Sequence, residues 1–142
     1  MNEILTVLLR AAGCGLIALA LAHVAIARKL RWREEALLMS RENGQIFLVH
    51  AFFLCLGLAL MGLPCVFAPE IFLEKSKAGL WVSASLAIFW SLRLYFQFFV
   101  YHGDLWRGKR LETRLHWFFS LVWLGLVGVF GACALVQAGL IR

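Results

Sequence analysis

Charged and strongly polar residues fall in clumps along this chain, and long apolar runs separate them. Four of the runs reach the roughly 20 residues that a helix needs to cross a bilayer: Ile4–Ala27, Ile46–Ala68, Ala78–Tyr101 and Leu115–Ile141. Arg10 interrupts the first run, so its unbroken part is Ala11–Ala27 and the residues before it sit partly in the interface. Pro64 and Pro69 bracket the exit of the second, where a helix is expected to weaken and stop. Trp81, Trp106 and Trp117 stand near the ends of the later runs, as interfacial aromatic anchors do.

The first run also invites a reading as a signal peptide, because Ala25-Ile26-Ala27 has the small-residue form of a cleavage site. Two features oppose that. The chain opens Met-Asn-Glu, without a positive leader, and the basic block from Arg28 to Arg33 directly after the site resists translocation. The expectation is therefore an all-α integral membrane protein with four helices in a single membrane domain over residues 1–142.

Composition strengthens that picture. Hydrophobic residues make up 63% of the 142 positions and charged residues 15%, against roughly 45–50% and 25% in soluble domains. So much apolar surface has no use in water, and disorder and collagen-like structure are excluded with it. The formal charge of +6 would suit nucleic acid in a soluble protein. Here the basic residues lie in the loops between spans, where they read as topology signals and anionic-lipid contacts, so no nucleic-acid partner is expected.

Their distribution also sets an orientation. The loops over residues 28–45 and 102–114 carry nine Lys and Arg, against three on the opposite side: Lys75, Lys77 and Arg142. The positive-inside rule puts both long loops in the cytoplasm and the N and C termini outside, in a plasma or bacterial inner membrane. Short connections make successive helices antiparallel neighbours, so an up-down four-helix transmembrane bundle is the simplest packing. Gly57, Gly125, Gly128 and Gly131 offer small residues for close helix approach, within the chain or between copies. The four cysteines stand singly in apolar segments without metal-ligand spacing, and read as buried thiols.

Polar residues inside the spans are costly, which makes them informative. All four histidines, His23, His50, His102 and His116, fall at the same rim, one from each span. They read either as interfacial side chains whose polar ends reach water or as ligands of a shared group. Haem b held by two of them leads among cofactors, followed by a divalent metal ion, or none. Glu112, His116 and Ser120 share one face of the fourth span at four-residue spacing, which makes His50, His116 and Glu112 the candidate metal set. His102 and Asp104 form a further His-x-Asp pair.

Arg93 is the most demanding residue. It lies nine residues before His102, about 13 Å along a helix and close to the midplane of a roughly 30 Å layer. Gln97 and Tyr101 follow on its face, and no span contributes an acid at its depth. Three resolutions stay open: snorkelling with Gln97 and backbone carbonyls as partners, an anionic ligand group, or an acid from another subunit.

No P-loop, dinucleotide fingerprint, nucleophile elbow or HExxH motif is present. The residues therefore do not decide whether the chain is an enzyme. The expected function is a non-catalytic accessory or ligand-binding subunit with a His/Arg cluster at the cytoplasmic rim, with His23, His50, His102, His116, Arg93 and Gln97 as its binding residues. The alternatives are a redox protein holding b-haem or quinone, and a metal-dependent enzyme acting on lipid. Expected partners are the lipid bilayer and, beyond it, other membrane subunits or a homo-oligomer.

Overall fold

A computed structural model describes residues 2–101 and 108–141 of the chain. His102, Asp104 and Trp106, all singled out above, lie outside the described residues. Among the described residues there are six helices and no strand: α1 (Asn2–Lys29), α2 (Trp32–Leu37), α3 (Arg41–Phe67), α4 (Glu70–Leu73), α5 (Lys77–Phe99) and α6 (Arg110–Gln137). Four of them, α1, α3, α5 and α6, are long and apolar enough to cross a membrane. Their 23 to 28 residues correspond to about 35–42 Å of helix, longer than a hydrocarbon layer of about 30 Å.

α3 and α6 both start ahead of their apolar runs, and in α3 the polar turn is capped. α3 starts at Arg41, five residues before the run, because the Ser40 side chain accepts from the Asn43 N–H at 3.4 Å and caps the polar first turn. Pro64 does not end α3. The helix continues to Phe67, and the Ala68 N–H closes onto the Pro64 carbonyl at 2.9 Å, just ahead of Pro69.

The chain divides into two compact units. One runs Val7–Pro69 and holds most of α1 with α2 and α3. Here α1 and α3 touch backbone to backbone at Gly13 and Gly62: a Cβ on Gly13 would lie 2.6 Å from the Gly62 carbonyl oxygen, and one on Gly62 would lie 2.7 Å from that of Gly13. The glycines expected to serve close approach, Gly57, Gly125, Gly128 and Gly131, have open space at their Cβ positions instead. Between α1 and α3 the chain turns at Arg31, which takes the left-handed conformation (φ 53°, ψ 41°), and its carbonyl accepts from the Glu34 and Glu35 N–H groups to start α2. α2 then lies against the start of α3, with Trp32 edge-on to Phe47 at 5.5 Å and Ala36 pressed onto Gly44.

The other unit gathers Glu70 onward with the first turn of α1. α5 and α6 are antiparallel, since Gly79 meets Gln137, Trp90 stacks on Trp123 and Gln97 bonds His116. Gln137 closes the far end of the pair. Its Oε1 accepts from the Ser76 N–H at 2.8 Å and its Nε2 donates to the Ile71 carbonyl at 3.1 Å, tying α4 and the start of α5 to the end of α6. Phe72 of α4 adds a ring contact to Phe130 of α6 at 5.8 Å.

Candidate functional site

The Val7–Pro69 unit contains a cavity of about 560 Å³. Its inner wall is apolar: Val24 and Ala27 from α1, and Leu48, Ala51, Phe52 and Cys55 from α3. The α3 residues recur at i, i+3, i+4 and i+7, one continuous face of that helix. The rim is the reverse in character, with Arg28, Arg31, Arg33, Glu34, Trp32 and His23. A straight helix through this segment would set Arg28 and Arg33 about 140° apart. The left-handed turn at Arg31 breaks the helix between them and lets both line one cavity.

Charge at the rim is unevenly satisfied. Arg31 Nε holds Glu34 Oε2 at 2.8 Å, which is the ion pair found among the described residues. Among the described residues, Arg28 and Arg33 have no carboxylate at that range. His23 is half-buried, and its Nδ1 donates to the Leu19 carbonyl at 2.7 Å, which leaves Nε2 as the ring's acceptor. His50 is held the same way, Nδ1 to the Ile46 carbonyl at 2.8 Å. It is exposed, however, and lies about 160° round α3 from the face that lines the cavity. Of these two histidines, His23 alone lines it.

The second polar cluster belongs to α5 and α6. Arg93 Nη1 donates to Gln97 Oε1 at 3.4 Å, and Gln97 Nε2 lies 2.9 Å from His116 Nδ1. A guanidinium can only donate, so the Gln97 oxygen faces Arg93 and its amide N–H faces His116. His116 Nδ1 is then an acceptor, and the ring proton sits on Nε2. The Arg93 guanidinium also lies over two rings, 5.2 Å from the centre of Trp123 and 5.5 Å from that of Tyr101. A desolvated cation over an aromatic face gains about 0.5–2 kcal/mol, so Trp123 supplies what the sequence left unassigned. Trp123 itself stacks on Trp90 and on Phe119, with ring centres 5.0 and 5.5 Å away.

Gln97 and His116 are 6% and 8% exposed, so this network is a buried one. The remainder of the expected α6 face goes elsewhere: Ser120 Oγ donates to the His116 carbonyl at 2.8 Å, and Glu112 is exposed in the first turn. Among the described residues, no group of three or more His, Cys, Asp or Glu is gathered so that it could hold a metal ion. No family model, curated protein or solved structure matches the chain.

Proposed function

We propose that this chain is a non-catalytic membrane protein that binds an anionic amphiphile in the cavity of the α1–α3 unit. The observation that carries the reading is the division of that cavity into an arginine rim over an apolar wall. Amphiphile sites are mostly apolar, with a few placed polar groups that fix orientation. An arginine fork suits carboxylate and phosphate oxygens better than any other side chain. In this reading the four spans form an up-down bundle, the loop over residues 28–45 is cytoplasmic, and the cavity opens toward the cytoplasmic leaflet. In this reading Arg93 serves the α5–α6 pair, where Gln97, Trp123 and Tyr101 lie against it.

The test is native mass spectrometry of the detergent-purified protein offered anionic and zwitterionic lipids of equal chain length. Preferential retention of the anionic lipid is expected, and equal retention of both overturns the reading.

Haem b is a second reading, and one specific observation favours it. His23 lines the same cavity with its Nδ1 fixed on a backbone carbonyl, the arrangement common in metal-binding histidines, and the arginines beside it suit propionates. An absorption spectrum of the purified protein, oxidised and then dithionite-reduced, separates the two. A Soret band with sharp reduced α and β bands supports haem, whereas a blank spectrum from haem-replete cells removes it.

A further inference from the structure

The cavity's charges specify more than an anion. Three arginines and one glutamate are among the residues that line it, a formal surplus of two positive charges. The carboxylate is already engaged, because Glu34 Oε2 takes Arg31 Nε at 2.8 Å. Arg28 arrives from the last turn of α1 and Arg33 from the first turn of α2, on opposite sides of the bend at Arg31. Both nevertheless line the one cavity.

A carboxylate or a phosphodiester brings a single negative charge and leaves one guanidinium uncompensated. A phosphomonoester brings about −1.5 to −2 at neutral pH and three terminal oxygens, each able to accept from an arginine fork. Only this headgroup class matches the surplus of two. Below the rim the apolar wall runs from Leu48 to Cys55, about 10 Å along α3, with no charged residue on it. A free phosphate has no use for such a wall, but an acyl chain does. The bilayer is also at hand: Leu37 and Leu38, at the end of α2, are 84% and 81% exposed and belong in lipid.

Building on the anionic-amphiphile reading, we infer that the occupant is a membrane lipid bearing a terminal phosphomonoester. Its phosphate sits between Arg28 and Arg33, and its chain lies along Leu48, Ala51, Phe52 and Cys55.

The experiment uses the full chain in nanodiscs of phosphatidylcholine alone, or doped equally with phosphatidate or phosphatidylglycerol, and reads the lipid retained on extraction into mild detergent. Phosphatidate should be retained at least about tenfold over phosphatidylglycerol. Arg33→Gln should abolish that preference, and Arg33→Lys, which keeps the charge but loses the fork, should restore part of it. Arg33 is exposed, so these variants fold as the parent does. Ala51→Trp, which fills the apolar wall, should lower phosphatidate retention while leaving the thermal melt within a few degrees. Equal retention of phosphatidate and phosphatidylglycerol, both above phosphatidylcholine, overturns the phosphomonoester inference and keeps the anionic reading. Retention no better than phosphatidylcholine for either overturns both. Displacement of phosphatidate by an equal concentration of inorganic phosphate overturns the lipid assignment.

Discussion

Arginine occurs in two settings in this protein, and its neighbours decide what it can do. Arg93 lies within a span and is half-buried, and its guanidinium meets an amide oxygen and two aromatic rings. Arg28 and Arg33 lie at a helix bend beside a cavity and meet no carboxylate among the described residues. The deeper arginine, which sequence marks as the more expensive, is the quieter one. The shallower pair, which loop chemistry explains away as topology, has binding capacity left over. Depth sets the cost of a charge, whereas unused donors set its capacity to bind.

Substitutions can break this contrast at several levels. The largest effect is expected from Gly13→Leu, which drives a side chain into the Gly62 backbone of α3. Overpacking of this kind costs about 1–3 kcal/mol or more. It should lower the melting temperature in detergent and erase amphiphile retention together. Gly125→Leu, placed where a Cβ meets open space, should change neither.

Next comes Gln97→Leu, which removes the acceptor for Arg93 and the donor for His116 Nδ1 in one step. Leaving buried polar groups unpaired costs about 1–3 kcal/mol. The thermal melt should fall while lipid retention in the α1–α3 cavity stays at the parental level. A parallel loss of retention would show that the two arginine settings are not independent. Tyr101→Leu should cost less, about 0.5–1 kcal/mol, because Trp123 still faces the guanidinium. The smallest effect on stability belongs to Glu34→Gln. Its exposed pair with Arg31 contributes about 0–1 kcal/mol. Retention of an anionic lipid should nevertheless rise, since the one negative charge at the rim has gone.

The spans were legible because lipid imposes a length and a composition that twenty residues can display. α5 over Lys77–Phe99 differs from the apolar run Ala78–Tyr101 by one residue at the start and two at the end. Hydropathy reads the part of a helix in lipid rather than the helix itself, so the polar first turns Arg41–Gln45 of α3 and Arg110–Arg114 of α6 escaped it. α2 and α4, with six and four residues, are too short to show a helical period at all.

The site was legible in its parts but not in its grouping. Four-residue spacing assembles the face Arg93, Gln97, Tyr101, and the guanidinium does sit there. Trp123 is thirty positions away, and only the antiparallel register of α5 and α6 brings its ring across. In the other unit, His23 stood out as a polar residue in a span, while Arg28, Arg31 and Arg33 were absorbed into loop charge. The signal that could have joined them was their crowding about a tight bend, flanked on both sides by apolar helix faces. Glycine misled for a similar reason: composition shows where helices can approach, but not which face has a neighbour. Gly13 and Gly62 have one.

Gln97 gives the network on α5 and α6 a direction. Arg93 donates, the amide accepts with one end and donates with the other, and His116 receives. The order cannot run backwards, because a guanidinium has no lone pair to offer in return. The amide thus acts as a one-way valve for hydrogen-bond polarity, and it selects the tautomer of a histidine on the neighbouring helix. Exchanging a single –NH2 for oxygen, in Gln97→Glu, would leave the shape intact but make both ends acceptors, so that His116 Nδ1 would have to supply the proton itself.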